Sequence, residues 1–127
     1  MAVISPLKYS DGSDSLSSFL EELQSKHKNE EDKYIVPLIK VINDFQLYGP
    51  QINLHYSKKF PPYKKLDDIY KNLGELRTHK CRYFIYKCDK FEWIGLHGYE
   101  KQSQDTPKNE IVKAKGEIKQ WQAIKKN

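Results

Sequence analysis

The spacing of apolar positions changes along the chain, and each change predicts an element boundary. Leu16, Phe19, Leu20 and Leu23 recur at intervals of three and four, which places them on one face of a helix. Ser13 or Asp14, just ahead of them, can accept the free N–H groups of the first turn as an N-cap. Ile35, Leu38, Ile39, Ile42 and Phe45 repeat the pattern and predict a second helix over 32–48. Pro37 falls early, where a missing N–H does little harm, and Gly49-Pro50 stops the helix. The polar connector Lys26–Lys33 is short enough to fold the two helices back as a hairpin. Ahead of them, Met1–Tyr9 reads as a strand, and Pro6 calls for an edge position or a bulge.

Beyond Asn72 the period falls to two. Glu75, Arg77 and His79 share one face, with Leu76 on the other. Arg82, Phe84 and Tyr86 oppose Tyr83 and Ile85. Trp93, Gly95, His97 and Tyr99 oppose Ile94 and Leu96. The stretch Lys87–Phe91 is a tight turn, so the expectation is three antiparallel strands with helices on one side, an α+β layer structure. Between the helices and these strands lies Gln51–Asn72, rich in Lys and Tyr and broken by Pro61-Pro62. It reads as an irregular basic loop with one helical turn near Leu66–Tyr70, and loops of this length are usually functional or mobile. At the end of the chain, Thr106 is placed as an N-cap, Pro107 as the first helical residue and Glu110 as the completion of a capping box. Ile111, Ala114, Ile118 and Trp121 give that last helix a sparse apolar face.

A chain of 127 residues, 38% hydrophobic and 31% charged, suits one domain, 1–127, with a core that needs no staples. No apolar run approaches the ~18 residues of a membrane span. The N-terminus lacks the basic start and apolar stretch of a signal peptide, so a cytoplasmic protein without membrane contact is expected. Cys81 and Cys88 are seven residues apart, an odd separation that puts them on opposite faces of one strand and argues for free thiols. They are also too few and too widely spaced for a metal site. A formal net charge of +5 suits a polyanionic partner.

Strand parity turns that general charge into a candidate site. It puts Arg77, Arg82, His97 and Tyr99 on the sheet face that does not carry the core, with Lys101 continuing the same parity. Such a set can cleave RNA with no metal or other cofactor. A base removes the proton of the 2′-hydroxyl, cations stabilise the phosphorane, and an acid protonates the leaving 5′-oxygen. The planar fork of Arg bonds two phosphate oxygens at once. Lys80, Lys64 and Lys65 add cations for RNA binding, and Phe84 and Tyr86 offer rings on which unpaired bases can stack. No cluster of Asp and Glu is placed to hold Mg²⁺, which disfavours two-metal cleavage. The ordinary alternatives are a solvated basic face, a structural His97, and aromatics that serve as cross-strand pairs.

The same stretch resembles a known family. Glu75-Leu76-Arg77, Cys81-Arg82, Leu96-His97-Gly98-Tyr99, the turn from Lys101 to Pro107, and Glu110-Ile111 with Ala114 together look like the HigB branch of the RelE/ParE toxins, which has many phage-derived members. The likeness covers about the last 55 residues of the sequence; before them only the order strand, helix, helix agrees. Gln102 and Asp105 stand where the family usually has basic residues, and Cys81 replaces an aromatic. The resemblance implies a RelE-like fold and a toxin neutralised by a cognate antitoxin protein with a DNA-binding helix-turn-helix. It also implies ribosome-dependent mRNA cleavage. On that analogy Arg77 and Arg82 bind phosphate, His97 or Tyr99 transfers protons, and Lys101 holds phosphate or acts as base. A DNA gyrase poison of the ParE kind and a non-catalytic nucleic-acid-binding module are the competing functions.

Overall fold

A computed structural model describes residues 1–126. The chain runs β1 (Val3–Pro6), α1 (Ser15–Lys26), α2 (Glu31–Tyr48), a 3-10 helix (Gly49–His55), β2 (Tyr63–Lys65), β3 (Leu73–Arg77), β4 (Cys81–Lys87), β5 (Glu92–Glu100) and α3 (Lys108–Lys126). The strands form one sheet in the order β1-β5-β4-β3-β2. All neighbours are antiparallel except β1, which lies parallel to β5. The α+β class is as expected, with a mixed sheet.

The α1–α2 hairpin packs on one face of the sheet. Phe19, Leu23, Leu38, Val41, Ile42 and Phe45 meet Leu76, Tyr83, Ile85 and Trp93 there. Each fully buried Leu or Phe contributes roughly 1.5–3 kcal/mol through removal from water. Val41 joins this face, whereas Ile39 is 40% exposed, a correction to the predicted stripe. Asp14 caps α1, its carboxylate accepting from the backbone N–H of Leu16 and Ser17 at 3.0 and 2.7 Å. At the sheet edge, Val3 donates to the carbonyl of Phe91, just before β5, and Leu7 to that of Gly95 in β5, so alternation turns the N–H-less Pro6 nitrogen to the free side. Part of that edge is covered by α2, where Gln46 accepts from the backbone N–H of Ala2 and Ile4.

Three expectations are corrected. Helices cover both faces, because α3 packs Ile111, Ala114 and Ile118 against Leu66, Leu73, Phe84, Leu96 and Tyr99 on the far side. The segment 51–72 is not wholly irregular. It holds part of the 3-10 helix and strand β2, whose Tyr63 pairs with Leu76, although the helical turn at Leu66–Tyr70 is present. The parity of β5 also breaks. Tyr83 pairs with Gly98 and Ile85 with Gly95, so Phe84 opposes both Leu96 and His97 in a β-bulge. Trp93 and Gly95 therefore face the hairpin, while Leu96, His97 and Tyr99 share the α3 side. The hairpin side of Gly98 is filled by the Phe19 ring, which leaves no room for a Cβ.

Candidate functional site

Register assembles the site. Arg77 pairs with Arg82, and Arg82 with Tyr99, so three side chains stand in a row across β3, β4 and β5 on the α3 face. One step along β3, on the same face, is Glu75, with no exposed surface. Its carboxylate is the hub of the cluster. It accepts the Tyr99 hydroxyl at 2.6 Å and lies 3.4 Å from Arg77 Nε and 3.9 Å from Arg82 Nε. The Thr106 hydroxyl donates to it from 3.4 Å.

These contacts define what each group can do. Burial, reinforced by the Glu75 carboxylate, raises the Tyr99 phenol above its ordinary value, so its proton stays on and is directed at Glu75. Arg82 is 3% exposed, and its Nη1 donates to the carbonyls of Thr78 and Cys81. Burial, and then the neighbouring Arg77 charge, lower its pKa. Arg77 is less enclosed. Its Nη2 donates to the Gln104 carbonyl at 3.1 Å, fixing the turn before α3, while its Nε has no hydrogen-bond partner.

His97 is 4% exposed. Its Nδ1 is 2.5 Å from Glu117 Oε1 and its Nε2 is 3.0 Å from Glu110 Oε1. His97 thus fastens α3 to β5. The capping box expected for α3 is not made: Thr106 is bonded to Glu75 and Glu110 to His97.

The cluster meets solvent at a crevice of about 70 Å³ lined by Lys59, Phe60, Pro61, Arg77, Arg82 and Gln104. An anion entering it meets the two guanidiniums and finds Glu75 already neutralised behind them.

The expected open face is therefore not open. Arg77 and Arg82 line the crevice, but His97 and Tyr99 are buried and do not. Lys101 is half-buried at the end of β5, its backbone N–H bonded to the Lys80 carbonyl. Lys80 and Lys64 are exposed, and so is Lys65, which is 3.4 Å from Asp67. Phe84 is wholly buried under α3, a correction to its expected role as a stacking platform. Tyr86 is half-buried among Tyr70 and Trp121. Glu75 shared the parity of Arg77, and that was the available signal for its place in the site. No spacing rule pointed to Lys59, Phe60 or Gln104, which come from loops.

Among the described residues, no helix is long and apolar enough to cross a membrane. No curated protein matches the chain. The family described as phage derived protein Gp49-like (DUF891) matches residues 20–119, a span that includes the second half of α1, all of α2, strands β2 to β5 and the first part of α3. The chain belongs to that family, a RelE-like toxin family.

Proposed function

We propose that this Gp49-like chain is the toxin of a type II toxin–antitoxin pair, of the HigB kind, and that it inhibits translation and growth by cutting mRNA on the ribosome without a metal. The observation that carries the reading is the crevice where Arg77 and Arg82 converge beside Lys59. Two preset guanidiniums offer most where charge builds up on a phosphorane, because they need little reorganisation as it forms. Arg77 is the principal phosphate ligand in this reading, since its side chain is the less enclosed of the two that line the crevice, and Arg82 is the second. Lys101 supplies a further cation or the base.

Tyr99 and His97 serve as positioning residues. Tyr99 holds Glu75, which orients both arginines, and His97 holds α3 over the sheet. Few protein groups are needed if the ribosome positions the mRNA, since positioning alone can lower a barrier by ~7–11 kcal/mol in favourable cases. The partner is a cognate antitoxin, encoded beside this chain and carrying a helix-turn-helix, that covers the crevice or blocks entry to the ribosome. The cytoplasm is the compartment this activity requires.

The burial of His97 and Tyr99 favours a second reading, in which the chain binds nucleic acid, or poisons DNA gyrase, without cutting RNA. The deciding experiment adds purified protein to translating ribosomes on a defined mRNA, with and without EDTA, and maps the 5′ ends. Cuts that need the ribosome and persist in EDTA support the nuclease; intact mRNA supports the second reading.

A further inference from the structure

A larger recess adjoins the arginine crevice. It measures about 260 Å³, below the roughly 300–1,000 Å³ of sites for drug-sized ligands. Its walls include Pro37, Val41, Tyr56 and Pro62, and Phe60 and Arg77 border both spaces. The recess is therefore apolar inside and cationic where it joins the crevice.

Its aromatic groups are held in place. The Phe60 ring lies 4.1 Å from that of His79, tilted by 33°. Tyr56 donates its hydroxyl to Asp44 at 2.6 Å, and Lys40 bonds the same carboxylate at 2.7 Å. No carboxylate among the described residues lines the recess, and Asp44 behind Tyr56 and Lys40 is satisfied by that network, which leaves the charge at the junction positive. A flat ring joined to a phosphate matches this arrangement: the ring enters the apolar recess and the phosphate lies against Arg77. An acidic peptide would match the cations but not the apolar walls.

We propose that the recess is a nucleobase subsite for single-stranded RNA, in which the base beside the phosphate held by Arg77 and Arg82 stacks on an outer face of the Phe60–His79 ring pair, whose 4.1 Å spacing leaves no room between the rings. The proposal rests on the RNA-directed reading above and assigns its sequence-tolerant contact to the Ser57–Pro62 loop. Stacking of this kind is insensitive to base identity, because every base presents a π face.

The test is fluorescence anisotropy of the full chain with a 5′-fluorescein-labelled single-stranded hexaribonucleotide, and with the same backbone lacking bases. Phe60→Ala should weaken binding of the base-bearing strand by about 5- to 150-fold, the range for one lost stack. It should leave the salt slope and the affinity for the abasic strand unchanged, and Phe60→Tyr should restore binding. Lys59→Ala should instead flatten the salt slope by about 0.7, the value for one phosphate contact on a single strand. If wild type binds and Arg77→Ala weakens it, but Phe60→Ala and His79→Ala do not, the subsite is overturned and the RNA reading stands. The same holds if Phe60→Ala abolishes capture of the antitoxin while RNA binding is intact, which makes the recess a protein-docking site. If wild type binds no RNA, both fail.

Discussion

Replacing Glu75 with Gln keeps the shape of the side chain and removes its charge. The Gln oxygen can still accept the Tyr99 hydroxyl, which donates at 2.6 Å in the wild type. What disappears is the only carboxylate within 4.0 Å of Arg77 and Arg82 among the described residues. Those side chains are 16% and 4% exposed, and their strands pair them directly. Two guanidiniums would then repel one another across β3 and β4 with little water to screen them. Removing one partner of a buried ion pair costs about 3–5 kcal/mol, a large part of the 5–15 kcal/mol that holds a typical domain together. Urea unfolding followed by the fluorescence of Trp93, which is 3% exposed, measures the loss. In an Arg82→Met background the same substitution should cost less, with a coupling of about 0.5–3 kcal/mol. A loss below about 1 kcal/mol, additive with Arg82→Met, would refute the role of Glu75 as counter-ion.

Other outcomes follow from neighbouring contacts. Gly98→Ala should destabilise by about 1–3 kcal/mol, since the new Cβ collides with the Phe19 ring; a thermal melt matching wild type would contradict the packing. Burial pushes the Cys81 thiol up to about 12 from its ordinary 9.0, so native protein at pH 8 should take up iodoacetamide at Cys88 while Cys81 reacts only in denaturant. The unfolded thiol loses its proton first as pH rises, so this part of the stability is full below pH 9 and lost between pH 9 and about 12; Cys81→Val should flatten that fall in alkaline urea titrations. Finally, His97→Gln should speed hydrogen exchange in α3 while exchange in α1 and α2 stays unchanged, because His97 bonds Glu110 and Glu117 of α3 alone. Equal acceleration everywhere would mean that it supports the whole fold.

Most of the hairpin could be read from the sequence, because its apolar spacing is long and regular. The strands were found for the same reason, and the faces of β3 and β4 followed from alternation alone. Three things were not legible. A three-residue strand such as β2 is too short to establish a period, and the paired prolines before it read as loop. The β5 bulge inserts one residue at Leu96-His97, and nothing local marks it. Alternation still grouped His97 and Tyr99 with the arginines, yet it sent Leu96 to the wrong face and paired Trp93 with His97. The cover of α3 was missed because its apolar face is sparse, and part of its hold on the sheet comes from Glu110 and Glu117 on His97, where the sequence pointed to Glu110 only as a capping-box residue. That omission made the expected basic face look open, when the accessible part is one crevice whose walls are completed by loop residues.

The most direct test of the account is induced expression of the chain in bacteria, with primer extension on several mRNAs, for wild type, Arg77→Ala and Arg77→Lys. Arg77 is the better choice than the structural Arg82 because it is less buried. The account predicts growth arrest with in-frame mRNA cuts for wild type. Both should vanish in Arg77→Ala and be largely lost in Arg77→Lys, which keeps the charge but not the planar fork, with each variant folded by circular dichroism. Wild-type cutting that persists undiminished in folded Arg77→Ala, or arrest with every mRNA intact, would contradict it.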